Sequence, residues 1–195
     1  MKKILSFIEV ALASVSVGTA VMLGEAFGDN AGTVLDANPD DITVEMFRAT
    51  AGGAGDPAGT VVISKGPGGL LFRLALGGMK PFSMHGLHIH ENASCAPLEK
   101  NGKKVPALSA GGHWDPEKTG FHAGPAGSGH RGDLPRIEAD AKGRIDGTIS
   151  VPHLDDLDEL KGHALIMHAG ADNYSDKPKK LGGGGPRLFC GIIRK

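Results

Sequence analysis

Two short apolar runs, Thr60-Val61-Val62-Ile63-Ser64 and Leu70-Leu71-Phe72-Arg73-Leu74-Ala75-Leu76, flank the turn sequence Gly66-Pro67-Gly68-Gly69. Each run is too short for a buried helix, and a Gly/Pro turn between two such runs signals a β-hairpin. The same pattern recurs along the chain. Ile42-Thr43-Val44-Glu45-Met46 and Leu87-His88-Ile89-His90 alternate with the period of a half-buried strand. Residues 136–140 and 144–149 flank Ala141-Lys142-Gly143, a second hairpin signal. Residues 163–168 and 188–193 bring the expected strands to eight, and only 154–161 has the look of a short helical turn. With 31 Gly, 12 Pro and 5% aromatics, a helical bundle is excluded. No strand–helix alternation calls for a parallel sheet. The expectation is an all-β fold: an eight-stranded antiparallel Greek-key flattened barrel, or an immunoglobulin-like sandwich. Two long connections, 92–135 and 169–186, carry many metal-ligand residue types, which marks them as functional loops.

The N-terminus differs in composition. Met1-Lys2-Lys3 precedes an apolar stretch rich in Ala, Val and Ser that ends near Gly18-Thr19-Ala20. This is the order of an export signal peptide, here 1–20, although Glu9 interrupts it and an amphipathic first helix is the alternative. The run is too short and too interrupted to anchor the chain in a membrane once the signal is removed. A flexible leader is expected over 21–41 and a folded domain over 42–195. Export gives the two cysteines a meaning. Cys95 and Cys190 would form one disulfide, whose long loop is worth about 4–5 kcal/mol in the chain-entropy picture; two reduced core thiols are the alternative. Lys+Arg 21 against Asp+Glu 22 leaves a formal charge of −1, so no basic excess points to nucleic acid.

Nine histidines in 195 residues is the unusual count, and their placement is ordered. His88 and His90, at i and i+2 on a strand, project from one face and can present two nitrogens to one metal. His113, His122, His130 and Asp133 follow in the first glycine-rich loop, and His168 ends a strand. Six His and one Asp exceed one four-coordinate site, so either two metals or one metal with spare ligands is implied. Imidazole suits zinc and copper, and a carboxylate among histidines is a common zinc complement. No HExxH, GxSxG or Walker A motif is present, and the Gly182–Gly185 run reads as backbone freedom around a site.

The stretches HGLHIHE (85–91) with Cys95, GGHWDP (111–116), HAGPAGSGHRGDLP (122–135), ALIMHAGADNYSD (164–176) and GGGGPRLFCGII (182–193) together resemble the copper–zinc superoxide dismutases, especially their periplasmic bacterial branch. The likeness covers about 42–193, nearly all of the expected mature chain. It implies one copper ion held by His88, His90, His113 and His168, and one zinc ion held by His113, His122, His130 and Asp133, with His113 bridging the two. Asp172 matches a carboxylate that hydrogen-bonds one histidine from each set. Arg187 matches the arginine that guides and orients the superoxide anion, and Cys95–Cys190 matches a disulfide tying the first loop to the last strand. His85, His153 and His163 have no ligand counterpart and read as structural or surface residues. Trp114, Ala169, Ala171, Pro186 and Phe189 depart from the family's usual residues; Pro186 and Phe189 flank Arg187 closely enough to reshape the rim of the site. The implied partner is superoxide as a small-molecule substrate, the implied location the periplasm or the extracellular space, and both a monomer and a homodimer stay open. The rival is an exported protein that buffers copper and zinc without turnover, which would not need Asp172 or Arg187. A zinc hydrolase is disfavoured, because no general base stands beside an open zinc position.

Overall fold

The computed structural model describes residues 38–194. The expected signal peptide and most of the expected leader lie outside the described residues. The strands are β1 (Ile42–Thr50), β2 (Gly53–Gly66), β3 (Gly69–Leu76), β4 (Met84–His85), β5 (Leu87–His90), β6 (Leu98–Lys100), β7 (Lys103–Val105), β8 (Ile137–Glu138), β9 (Ile145–Val151), β10 (Ala164–His168) and β11 (Arg187–Ile192). Among the described residues only three short 3-10 turns accompany them, one of them at Asp158–Leu160 inside the expected helical turn. Among the described residues no helix is long and apolar enough to cross a membrane.

Seven of the eight expected strands form one antiparallel sheet in the order β5-β10-β11-β1-β2-β3-β9. The two edges are far apart in that order, yet Leu87 and Ile89 of β5 and Ile145 and Val151 of β9 belong to the same buried cluster as Val44, Val61, Phe72 and Phe189. The sheet therefore curls around a single core, which is the flattened barrel expected. The β2–β3 hairpin forms as read, from Gly59 opposite Leu76 to Gly66 opposite Gly69.

The eighth expected strand differs. Only Ile137–Glu138 is extended, and it pairs with β4 rather than with β9, which lies against β3. The turn at 141–143 does form, since the Asp140 N–H donates to the Arg144 carbonyl at 2.7 Å. Beyond that turn the apolar residues of β9 are taken by β3. Inside the first loop, β6 and β7 make a small hairpin through Asn101-Gly102, both at positive φ (54° and 72°) as a tight two-residue turn needs. Its flanks, Leu98-Glu99-Lys100 and Lys103-Lys104-Val105, are mostly charged and exposed, so hydrophobic alternation did not mark it.

Strands β5 and β10 place the site. Leu87 and Ile89 point into the core, as do Leu165 and Met167 opposite them, whereas His88 lies across from Ile166 and His90 across from Ala164 on the outer face. All four β5 residues are buried because the two long loops cover that outer face.

Candidate metal centre

The outer face of β5 presents His88 and His90, the end of β10 adds His168, and the first loop brings His113 over them. All four are buried, and one ligand atom from each lies within 4.8 Å of the others. The hydrogen bonds fix which nitrogen is available. His90 Nδ1 meets the Gly111 carbonyl at 3.0 Å and His168 Nδ1 meets the Gly185 carbonyl at 2.9 Å. A carbonyl can only accept, so each Nδ1 carries the proton and each Nε2 keeps a bare lone pair. Those two Nε2 atoms are 3.4 Å apart. His88 is reversed: its Nε2 donates to Asp172 Oδ2 at 2.8 Å, which leaves Nδ1 bare, buried and without a hydrogen-bond partner.

A second cluster adjoins the first. Asp133 Oδ1 lies 2.9 Å from His113 Nδ1, and Asp133 Oδ2 lies 2.8 Å from His122 Nδ1. His122 Nε2 donates to Asp172 Oδ1 at 2.8 Å. His88, His113, His122 and Asp133 form the second group whose ligand atoms approach within 4.8 Å. His130 stands at its edge, with Nδ1 3.4 Å from Asp133 Oδ1 and no hydrogen bond of its own. His113 belongs to both groups: Nδ1 faces Asp133, and Nε2 is buried with no hydrogen-bond partner.

Electrostatics separates the two clusters. Burial, and then the neighbouring His113, pushes His88 down to about 3, while burial takes His168 down to about 4. Both stay neutral, as nitrogen ligands must. His122 goes the other way: burial opposes its charge, but hydrogen bonds to Asp133 and Asp172 outweigh burial and raise it to about 9. Burial likewise opposes the charge of Asp133, but His113 and His122 hold it well below the usual carboxylate range; for Asp172 the histidines are His122 and His88. The second cluster therefore demands positive charge, and the first offers lone pairs without demanding a proton. Buried nitrogens with no other partner, arranged in two adjoining sets, fit two metal ions.

Arg187, on β11, lies beside the first cluster. Its Nη1 donates to the Ala107 carbonyl at 2.5 Å and its Nη2 donates to the Gly111 carbonyl. The Cys95–Cys190 disulfide, with Cα atoms 5.8 Å apart, ties the segment carrying those carbonyls to the strand carrying Arg187. A small cluster of Ala107, Ala110, Ala164, Ile166 and Cys190 packs beneath it.

A family model for copper/zinc superoxide dismutase matches residues 57–193. The chain belongs to the copper/zinc superoxide dismutase family. A superoxide dismutase [Cu-Zn] from Brucella abortus biovar 1 is 54% identical over 154 residues, covering 79% of this chain and 88% of that protein. The Cu/Zn superoxide dismutase structure from Brucella abortus superposes with a TM-score of 0.77 at 54% identity, over 80% of this chain and 100% of that one. The solution structure of a monomeric copper, zinc superoxide dismutase from Salmonella enterica gives 0.72 at 48% identity, over 79% and 99%.

Within this member of the dismutase family, the three histidines read as non-ligands have structural work. His85 Nδ1 donates to the His168 carbonyl at 2.7 Å while Nε2 meets the Ser83 hydroxyl. His163 bonds the Glu91 carbonyl at 2.8 Å and packs on Trp114. His153 Nε2 donates to the Arg131 carbonyl at 3.1 Å. Sequence reading missed the residues that hold the loops in place. The Glu91 carboxylate accepts the Gly112 N–H at 2.9 Å, and Asp176 accepts the His122 N–H at 2.9 Å. Gly182, in the run read as backbone freedom around a site, needs that freedom: at φ +66°, an added Cβ would fall 1.8 Å from Asp172 Oδ1.

Proposed function

We propose that this chain dismutates superoxide, with copper held by His88, His90, His113 and His168 and zinc held by His113, His122, His130 and Asp133. The observation that carries this reading is His113, whose two ring nitrogens face different ligand sets. Its Nδ1 is directed at Asp133, and its Nε2 is left for the cluster of His88, His90 and His168. His130 completes the zinc set because its Nδ1 is buried, faces Asp133 and has no hydrogen bond. The preference of imidazole for copper and of a mixed histidine–carboxylate set for zinc supports the assignment.

When bound, copper supplies an electron carrier alternating between Cu(II) and Cu(I), so that two superoxide ions and two protons become one dioxygen and one hydrogen peroxide. The chain supplies the rest. The Arg187 guanidinium, fixed by the Ala107 and Gly111 carbonyls, presents permanent positive charge beside His90 to orient a small anion. His113 Nε2 is the atom suited to take up a proton and return it, because Nδ1 stays committed on the Asp133 side. Asp172 holds Nε2 of both His88 and His122, so each ring would meet a bound metal through Nδ1. The disulfide suits an oxidising compartment, and the bacterial relatives suit export to the periplasm, with residues 1–20 as the signal peptide.

The test is reconstitution of the purified protein with zinc alone and then with both metals, followed by a superoxide-consumption assay. Turnover that appears only when copper is present supports the reading. Full loading with both metals and no turnover would leave a metal-buffering protein instead.

A further inference from the structure

We propose that Tyr174 is a positioning residue that locks Asp172 between the two metal clusters. The inference rests on the two-metal reading above. Asp172 holds His88, of the proposed copper set, and His122, of the proposed zinc set, through separate oxygens, so small rotations of its carboxylate would be felt at both. One contact restrains the carboxylate itself, and the others fix the backbone and side chains beside it. The Tyr174 N–H donates to Asp172 Oδ1 at 2.7 Å. Arg136 Nη1 donates to the Asp172 carbonyl at 3.1 Å. The Tyr174 hydroxyl accepts the Arg136 N–H at 2.9 Å, and the Arg136 guanidinium lies 5.3 Å over the Tyr174 ring.

Tyr174 thus grips both loops. Its ring also rests on Gly124, where an added Cβ would come within 2.5 Å of Tyr174 Cγ, and the Gly124 N–H donates to the Asp133 carboxylate at 3.2 Å. The backbone of Tyr174 is held at φ +61°, a left-handed conformation that a bulky aromatic residue adopts only when its surroundings impose it. That conformation aims the N–H at Asp172 while the side chain reaches back to 124 and 136. A tyrosine here joins the zinc-ligand segment to the carboxylate that orients His88, and thereby links zinc occupancy to the copper environment. Partners of this kind typically change metal affinity by about 10–100-fold.

The test uses the full chain exported and loaded with both metals. Zinc affinity is read by chelator competition and the copper environment by the EPR spectrum of Cu(II). We expect Tyr174→Ala to weaken zinc binding about tenfold and to shift the copper spectrum, although Tyr174 touches none of the proposed copper ligands. Tyr174→Phe, which keeps the ring on Gly124 and loses only the hydroxyl, should fall between the two. Arg136→Met should move both readouts in the same direction as Tyr174→Phe, and these two variants carry the test if Tyr174→Ala does not fold. Variants that melt earlier but keep wild-type zinc affinity and spectrum would reduce Tyr174 to a purely structural residue and overturn the proposal. If the wild-type protein itself fails to take up one zinc and one copper, the two-metal reading falls and the inference falls with it.

Discussion

The Arg187 side chain reaches across 80 residues of sequence to donate to the Ala107 carbonyl at 2.5 Å. Its orientation is therefore set by the first loop, although the residue belongs to the last strand of the sheet. A guanidinium held this way cannot swing aside, so it should act on an incoming anion rather than on metal retention. Arg187→Ala is expected to keep both metals at wild-type stoichiometry while the rate falls about tenfold or more, roughly 1.4 kcal/mol per tenfold step. Arg187→Lys should recover part of the loss, because the charge survives and the planar fork does not. The wild-type rate should decline as salt shortens the reach of the field to about 8 Å at 0.15 M. Stopped-flow rates with parallel metal analysis decide it; a fully loaded Arg187→Ala protein with an unchanged rate would remove Arg187 from the mechanism.

The two ligand sets should separate under mutation. His168 faces only the first cluster, so His168→Ala should lose copper and activity while holding most of its zinc. Asp133 touches His113, His122 and His130, so Asp133→Ala should mainly lose zinc. Elemental analysis of both variants is the measurement, and loss of the same metal from each would defeat the two-site assignment.

Removing the disulfide should cost both stability and geometry. Cys190 is buried on β11, and Cys95 ties down the loop that offers its carbonyls to Arg187. Cys95→Ser is expected to lose about 2–5 kcal/mol of stability, the usual cost for a small exported domain. The rate should drop further than the remaining metal content explains. Urea unfolding gives the first number. A rate that tracks copper content alone would separate the disulfide from Arg187 placement.

The demetallated protein should be sensitive to acid. His88 and His168 titrate near 3 and 4 in the folded chain, against an ordinary value of 6.5 when unfolded. Below that ordinary value the unfolded chain binds protons that the folded one refuses. Their contribution to stability is complete above about pH 6.5 and is lost as the pH falls toward 3–4, at up to about 1.4 kcal/mol per pH unit for each histidine. His122 works in the opposite sense, its contribution being present at low pH and lost as the pH rises through about 9. Urea midpoints of the metal-free protein from pH 7 to 4 should therefore fall; a flat profile would show that these histidines are not buried neutral without metal.

The fold and the ligand types were legible because they rest on local patterns. Period-2 alternation marked β1 and β5, two apolar runs about a Gly/Pro turn marked β2 and β3, and the i, i+2 spacing of His88 and His90 put both on one face. What escaped was decided by competition between distant segments. Residues 136–140 carry a strand pattern, but β9 finds its apolar partners on β3, so Ile137–Glu138 turns to β4. The β6–β7 hairpin has the Asn-Gly turn but mostly charged flanks. Asp176, Glu91 and Tyr174 act through backbone N–H groups of residues close in space and distant in sequence, a relation that no spacing rule encodes.

The alternation within β5 has a consequence for errors of assembly. A slip of one position along β10 would carry His88 and His90 into the apolar interior and turn Leu87 and Ile89 outward to the loops. The mistake would set two imidazoles among apolar side chains and deprive one ligand set of half its nitrogens in the same step. A misregistered β5 would lose its interior packing and one ligand set together, so metal content would report the register of this strand.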